Sequence, residues 1–385
     1  MHLPNYKDGS IVNLMSSIMR ARGVRSQYRQ LAGLDIKALR KAKNIILLVI
    51  DGLGYEYLQK HGADTMLIEH LHGKITSVFP STTATGITTI VTGTAPQQHA
   101  ITGWFMFIKE LGLVARILPF NPRYGGPALG QTMIDPHSIF DQSPLSARLE
   151  DEIYYLIPSN LFGSDYTMAT STGAERLSYS SLEDCLGKIK DTVHAGGEKK
   201  YIYAYWAELD SLCHEYGTES QEALTHLREL DYSIALFLHA LKGSRSMVLI
   251  TSDHGLIDTG PADRVNLKDH PALVETLTLP LCGEPRVAYC YVHPVRVRKF
   301  REYVKRKLRD HCTLYDSRDL IRRNFYGLYK PHEKLQDRIG DYVLIMKKNF
   351  VIKDFVLGEA EHFLNANHGG VSAQEMYVPL ITVSC

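Results

Sequence analysis

The sequence predicts an α/β protein: a largely parallel central sheet flanked by helices, with a small α+β insert. Three observations carry that expectation. The runs Asn44–Ile50, Lys200–Trp206 and Ser246–Thr251 are almost continuously aliphatic or aromatic, the texture of strands buried on both faces. Helix-spaced segments separate them, and strands alternating with helices favour a parallel sheet. Between about 270 and 350 the pattern shifts to short strands around one basic helix.

Along the chain, Ile11, Leu14, Met15 and Ile18 stand at helix spacing and predict a lead-in helix packed on the main domain. Ile75 to Val78 reads as a short strand, followed by an apolar helix pattern ending in Ile90-Val-Thr-Gly93. Ser220 to Leu241 reads as a helix through Leu224, Leu227, Leu230, Ile234, Leu236 and Leu238. Within the insert, Arg286 to Val292 and Tyr342 to Met346 read as strands, and Val295 to Arg309 as a basic amphipathic helix. The expected division is a core of residues 1–268 and 351–385, with 269–350 as a cap-like insert.

Composition narrows the function. At 385 residues the chain is long enough for one large α/β unit with an insertion, or for two domains. Lys+Arg 43 against Asp+Glu 42 leaves a formal charge of +1, so no global basic field draws in a nucleic-acid polymer or a membrane surface. The longest aliphatic run, Ile45 to Ile50, is far short of a bilayer span. Residues 1–23 show no secretory pattern, which makes a cytoplasmic address the expectation. The six cysteines form no CxxC pair and are expected as free thiols.

Three of the strands run into acidic residues: Asp51, Asp210 and Asp253. In open α/β sheets ligands bind at the carboxyl ends of strands, so these three can meet although distant in sequence. Asp210 and His214 are four apart and share one face if the segment is helical. His254 follows Asp253 at a strand tip, and His368 lies in the glycine-framed run Asn365-Ala-Asn-His-Gly-Gly370. Each has an ordinary reading alone: a turn, a surface pair, a packing imidazole. Together, three Asp and three His form an oxygen and nitrogen donor set for two divalent ions, zinc first with manganese and iron as alternatives. Phe79-Pro-Ser-Thr-Thr-Ala-Thr-Gly86 adds a crowd of hydroxyls at a helix start. Such hydroxyls are usually caps, but the helix dipole there also favours alkoxide and phosphate charge.

These motifs, in this order, resemble the alkaline phosphatase superfamily, and within it the type I phosphodiesterase/nucleotide pyrophosphatase branch. The likeness runs from about residue 44 to the C-terminus and covers the 270–350 insert least. It implies an alkaline-phosphatase-like fold. It also implies one metal held by Asp210, His214 and His368, and another by Asp51, Asp253, His254 and the nucleophile oxygen. The nucleophile would attack phosphorus, release an alcohol or nucleoside product, and leave an enzyme ester that is then hydrolysed. Counting back ten residues from Gly93, the family's spacing, lands on Thr83 as nucleophile and metal ligand, with Thr82 and then Ser81 behind it. The expected partner is a small-molecule phosphodiester or nucleotide.

Two positions depart from the family pattern. Val78 stands before Phe-Pro where animal-type members carry the nucleophilic Thr, and Trp104, five residues after His99, stands where an Asn binds the transferred phosphoryl group. Another group, or a backbone amide near Thr83, must then hold that phosphoryl group. A phosphomonoesterase or phosphonate hydrolase keeps the same site but needs a free Arg, for which Arg123 is the nearest candidate. A sulfatase is not expected, because no Cys/Ser-x-Pro-x-Arg motif occurs. A metal-binding scaffold without turnover is the non-enzymatic alternative.

Overall fold

A computed structural model describes all residues, 1–385. Its central sheet has seven strands in the order Leu71–Thr76, Tyr377–Ser384, Ser246–Thr251, Asn44–Ile50, Lys200–Trp206, Glu152–Pro158 and Glu175–Tyr179. The five strands from Ser246–Thr251 to Glu175–Tyr179 are mutually parallel; Tyr377–Ser384 runs antiparallel to both of its neighbours. The three strands expected from their apolar runs occupy those residues and lie side by side at the centre. Every residue of Asn44–Ile50 and of Lys200–Trp206 is buried. That explains why neither shows the polar alternation of a one-sided strand.

Alternation appears instead in what each face meets. Ile45, Leu47 and Val49 pack with Tyr201, Tyr203 and Tyr205 against the helices Ile11–Ala21 and Thr83–Thr92. Ile46, Leu48 and Ile50 pack with Ile202, Ala204 and Trp206 against Leu182–His194 and Gln221–Ala240. Helices on both faces remove this sheet from water. Ile11–Ala21 is the lead-in helix, and Ser220 caps Gln221–Ala240 by accepting the Ala223 N–H. One expected core position differs: Leu236 is 55% exposed, because the buried stripe runs through Leu227, Leu230, Ile234 and Leu238. No helix is long and apolar enough to cross a membrane. All six cysteines are free.

The second sheet also has seven strands: Cys312–Asp316, Tyr342–Met346, Val287–Cys290, Cys282–Glu284, Phe105–Ile108, Leu113–Arg116 and Asn121–Pro122. It reaches beyond the 269–350 segment, because three of its strands come from residues 105–122. Hydrogen bonds between Cys282–Glu284 and Phe105–Ile108 join the two contributions. The insert therefore completes a sheet begun earlier in the chain. Its basic segment forms the helix Val297–Tyr303 and a following wider turn, Val304–Leu308, which bury Phe300, Val304 and Leu308. The basic side chains stay at the surface, where Lys299 pairs with Glu275 and Arg298 with Glu302.

A buried ion pair ties this sheet to the core. Arg286 donates from Nε and Nη2 to the two carboxylate oxygens of Glu375, at 3.0 and 2.9 Å. Glu375 also accepts the Gly370 N–H at 2.7 Å, which anchors the loop carrying His368. Removing one partner of a buried pair leaves the other charge uncompensated, which costs about 3–5 kcal/mol. Arg286→Met should therefore lower the unfolding free energy by about that amount in denaturant titration.

Candidate active site

The strand tips assemble one cluster. Asp51 leaves Asn44–Ile50, while Asp253 and His254 leave the adjacent Ser246–Thr251. Asp210 and His214 sit on the helix Glu208–Tyr216, which follows Lys200–Trp206, and His368 follows the short strand Ala366–Asn367. His254 Nε2 lies 3.2 Å from Asp51 Oδ1 and 3.6 Å from Asp253 Oδ2. His214 Nε2 lies 3.2 Å from Asp210 Oδ2, the helical i,i+4 contact that the spacing implies. The His254 and His368 rings stack with centroids 3.9 Å apart, and the His214 ring is 5.0 Å from His368. All six expected ligand residues are therefore brought together.

Two close groupings stand out: Asp51, Asp253 and His254, and Asp210, His254 and His368, each with ligand atoms within 4.8 Å of one another. The second differs from the set Asp210, His214 and His368 implied by the family resemblance. His254 is central because its ring stacks on His368, while His214 is drawn toward Asp210 within their own helix. The His254 Nδ1 faces the Gly255 carbonyl at 3.2 Å, so only Nε2 is free to bind a cation and His254 can serve one ion, not both. His214 has Nδ1 against the Ala366 carbonyl at 2.7 Å, which leaves its Nε2 pointing at Asp210 as a ready ligand for the other.

The electrostatics call for positive charge. Asp51 Oδ1, Asp210 Oδ1, Asp253 Oδ2 and His368 Nδ1 are buried without a hydrogen-bond partner. Burial, then the nearby Asp253 and Asp210 charges, push the Asp51 carboxyl well above the usual range. Burial also raises Asp253. For Asp210 burial acts upward as well, but His214 overcomes it and holds the carboxyl low. Against the effect of burial on the imidazole, Asp210 lifts His214 to about 8. Burial, followed by the neighbouring His254, drives His368 well below its usual value. Three buried carboxyls with orphaned oxygens and a neutral imidazole fit a pair of divalent cations.

The hydroxyl cluster separates cleanly. Thr83 is half-buried, with Oγ 3.0 Å from His254 Nε2 and 3.4 Å from Asp51 Oδ2. Thr82 donates to Glu284 Oε1 at 2.7 Å, and Ser81 donates to the Gly370 carbonyl at 2.8 Å. Thr82 occupies the N-cap position of Thr83–Thr92, yet its side chain caps nothing. The capping role usual for a hydroxyl at a helix start is therefore not taken by Thr82, whose side chain is turned toward Glu284 instead. The helix can lie this close because residue 86 is Gly; a Cβ there would meet Asp253 Cβ at 2.8 Å. Thr82→Ala should cost about 1.5–3 kcal/mol, the worth of a hydrogen bond to a carboxylate, and leave turnover within tenfold of wild type. Thermal unfolding beside steady-state rates checks both.

Sequence reasoning missed two groups. The Tyr205 hydroxyl donates to Asp51 Oδ2, and it follows from strand alternation once Asp51 is known to sit on the neighbouring strand. Glu284 reaches the hydroxyl turn at residues 81–83 from the second sheet, with its carboxyl raised by burial to about 7. It also accepts the Trp104 N–H at 2.6 Å, so the Trp104 amide is occupied. No local pattern marks Glu284 in the sequence. Arg123 is not a free phosphate ligand: it is buried and paired with Asp354 and Glu359 at 2.8 and 2.9 Å.

The model of one family, type I phosphodiesterase / nucleotide pyrophosphatase, matches residues 45–370. The chain belongs to that family. Its members are phosphodiester and pyrophosphate hydrolases, and the chain is a hydrolase of this class. Similar solved structures include murine ectonucleotide pyrophosphatase/phosphodiesterase 5, with 20% identity, a TM-score of 0.67 and 87% of each chain covered. An inactive threonine-to-alanine form of the same murine protein, in complex with AMP, aligns equally well. The human protein of that name has 18% identity and a TM-score of 0.65, with 88% of this chain and 87% of that one covered. Comparison with curated proteins by sequence finds no match. The shared fold is the alkaline-phosphatase-like arrangement of a central sheet between helices.

Proposed function

We propose that this phosphodiesterase works through a covalent phospho-threonine on Thr83 beside a two-cation site. The observation that carries the reading is that Thr83 alone, of the three adjacent hydroxyls, faces the ligand cluster. Asp51, Asp253 and His254 would hold one cation with Thr83, and Asp210, His214 and His368 the other. Two divalent cations, zinc first and manganese or iron as alternatives, would supply Lewis-acid charge that favours the Thr83 alkoxide and offsets the phosphoryl oxygens.

The chain's own groups do the rest. Thr83 Oγ, its proton given up to solvent, bonds to phosphorus as the bond to the leaving oxygen breaks. Water then attacks phosphorus, the bond to Thr83 Oγ breaks, and the hydroxyl is restored. Tyr205 holds Asp51 in place through its hydroxyl. Because Thr82 does not cap the helix, the first-turn amides of Thr83–Thr92 have no side-chain acceptor and are free to receive phosphoryl oxygens. They take over the task that an Asn performs at the Trp104 position in the family. The murine relative described as inactive on losing a threonine supports a threonine in the central role.

With Arg123 committed elsewhere, a phosphodiester is favoured over a phosphomonoester, whose extra charge needs a guanidinium. The test compares bis(p-nitrophenyl) phosphate with p-nitrophenyl phosphate, with and without chelator. The diester should be cleaved at least about tenfold faster. Activity should vanish with chelator and return with zinc. Chelator-resistant cleavage, or a faster monoester, would refute the reading.

A further inference from the structure

One carboxyl beside the site has no task in the reaction. Glu284 ends the strand Cys282–Glu284 of the second sheet, where Gly283 pairs with Phe105. It is 7% exposed. Its Oε1 accepts the Thr82 hydroxyl at 2.7 Å and the Trp104 N–H at 2.6 Å, so the carboxyl is clamped between the hydroxyl turn and the start of the neighbouring strand. Its stem lies against the loop that carries His368: a Cβ at Gly369 would meet Glu284 Cβ at 2.8 Å. The charges of His214 and Asp210 act on the carboxyl, which places it on the side of Thr83 where Asp210, His214 and His368 gather.

Nothing in the protein neutralises this group. Arg286, two residues on, is committed to Glu375, and Arg123 to Asp354 and Glu359. The second oxygen of Glu284, Oε2, accepts no hydrogen bond. Unlike the orphaned oxygens of Asp51, Asp210 and Asp253, it is not sealed from the accessible surface. Glu375, a bracing carboxylate, uses both of its oxygens on Arg286 and the Gly370 N–H. Glu284 therefore keeps a fixed negative charge next to the place where phosphorus meets Thr83 Oγ.

A charge so placed sorts substrates by their own charge. A phosphodiester has a single ionised oxygen, whereas a phosphomonoester carries about −1.5 to −2 at neutral pH. Two cations alone would favour the more highly charged monoester, so preference for a diester needs an opposing charge. Repulsion at a buried carboxylate is only weakly screened by salt. The same repulsion acts on the product, which is a monoester and carries more charge than the substrate.

We propose that Glu284 is the specificity-determining residue of the site, its carboxylate turning away phosphomonoesters and weakening the hold on the monoester product. The inference rests on the reading of a diesterase with Thr83 as nucleophile. Thr83 Oγ–P forms as P–O to the leaving alcohol breaks, water then breaks Thr83 Oγ–P, and Glu284 exchanges no proton in either step.

The test uses p-nitrophenyl phosphate and its methyl ester, which share a leaving group and differ by one ionisable oxygen. Zinc-loaded wild type and Glu284→Gln are compared at about pH 8, above the value of about 7 to which burial raises the carboxyl. Glutamine keeps an oxygen for Thr82 and Trp104, so the turn stays braced while the charge is lost. The ratio of kcat/KM for the monoester to that for the diester should rise at least about tenfold, chiefly through a lower monoester KM. Calorimetry should show methyl phosphate binding tighter by at least the same factor. Should Glu284→Gln not fold, Glu284→Asp and Glu284→Asn, equal in size and different in charge, make the same comparison. An unchanged ratio, or an equal loss on both substrates, would overturn this inference and leave Thr83-dependent diester cleavage standing. A wild type that cleaves the monoester faster, or diester cleavage that survives Thr83→Ala, would overturn the catalytic reading as well.

Discussion

Thr83→Ala should lose at least about a thousandfold in kcat, as expected when a nucleophile is removed from a site that otherwise stays assembled. The reason is positional. Thr83 Oγ is within 3.4 Å of both Asp51 and His254, whereas the neighbouring hydroxyls are spent on Glu284 and the Gly370 carbonyl. Neither neighbour can turn toward phosphorus without giving up its hydrogen bond, which for Thr82 is one to a buried carboxyl and costs about 1.5–3 kcal/mol. Mass spectrometry of an acid-quenched reaction should place phosphate on Thr83 in the wild type and find none in the variant. Metal content should fall little, because three further ligands remain on that side. Phosphate found on Thr82 or Ser81 would refute the assignment while sparing the cation site.

Single replacement of Asp51, Asp253 or His214 by Ala should remove most activity together with at least one of the two bound metals. Asp51 and Asp253 each keep one buried oxygen without a partner, and His214 presents Nε2 to Asp210 on the same cluster, so the expected loss is of the cation rather than of the scaffold. The variants should fold. Removing Asp51 also takes away a buried carboxyl that burial, and then repulsion from Asp253 and Asp210, hold well above the usual range in the metal-free protein. The metal-free Asp51→Ala protein should accordingly melt no lower than metal-free wild type, while its stabilisation by added zinc disappears. Elemental analysis and paired melting curves with and without zinc measure both parts. Full metal content in any of the three variants would break the ligand assignment.

His214 separates two descriptions of the second site. The close grouping in the structure puts His254 beside Asp210 and His368. His214 stands one contact away, oriented by the Ala366 carbonyl. If His254 serves the Asp51 side, the other cation depends on His214, and His214→Ala should leave one metal per chain. Retention of two would mean that His254 completes the Asp210 side instead.

The legibility of this protein divides along one physical line. Parallel strands buried on both faces have to be nearly all apolar, so Asn44–Ile50, Lys200–Trp206 and Ser246–Thr251 announced themselves without alignment. A charged residue at a strand tip interrupts such a run, which made Asp51 and Asp253 visible. The i,i+4 spacing of Asp210 and His214 became a contact because the segment is helical. Those signals are local, carried by periodicity and by breaks in hydrophobicity. By itself the sequence determined the fold class and singled out the six Asp and His residues and the hydroxyl turn that the fold brings together.

Tertiary structure decided whatever depends on which segments meet. Thr83 and Thr82 are indistinguishable as residues; they differ because Glu284, about 200 positions away, claims one hydroxyl and the ligand cluster faces the other. Arg123 looked available until Asp354 and Glu359 closed on it. The 269–350 segment read as a separate unit, but its edge strand pairs with Phe105–Ile108, because an unpaired edge leaves backbone N–H and C=O groups without partners. An apolar pocket beside Thr83 exists only where a stripe of its helix, Tyr155, Tyr203 and Tyr205, and the segment from Leu161 to Ser171, with its helix Asp165–Thr170, converge. Such contacts leave no periodic trace, since the energy of a hydrogen bond or a packed wall depends on distance in space and not on separation along the chain.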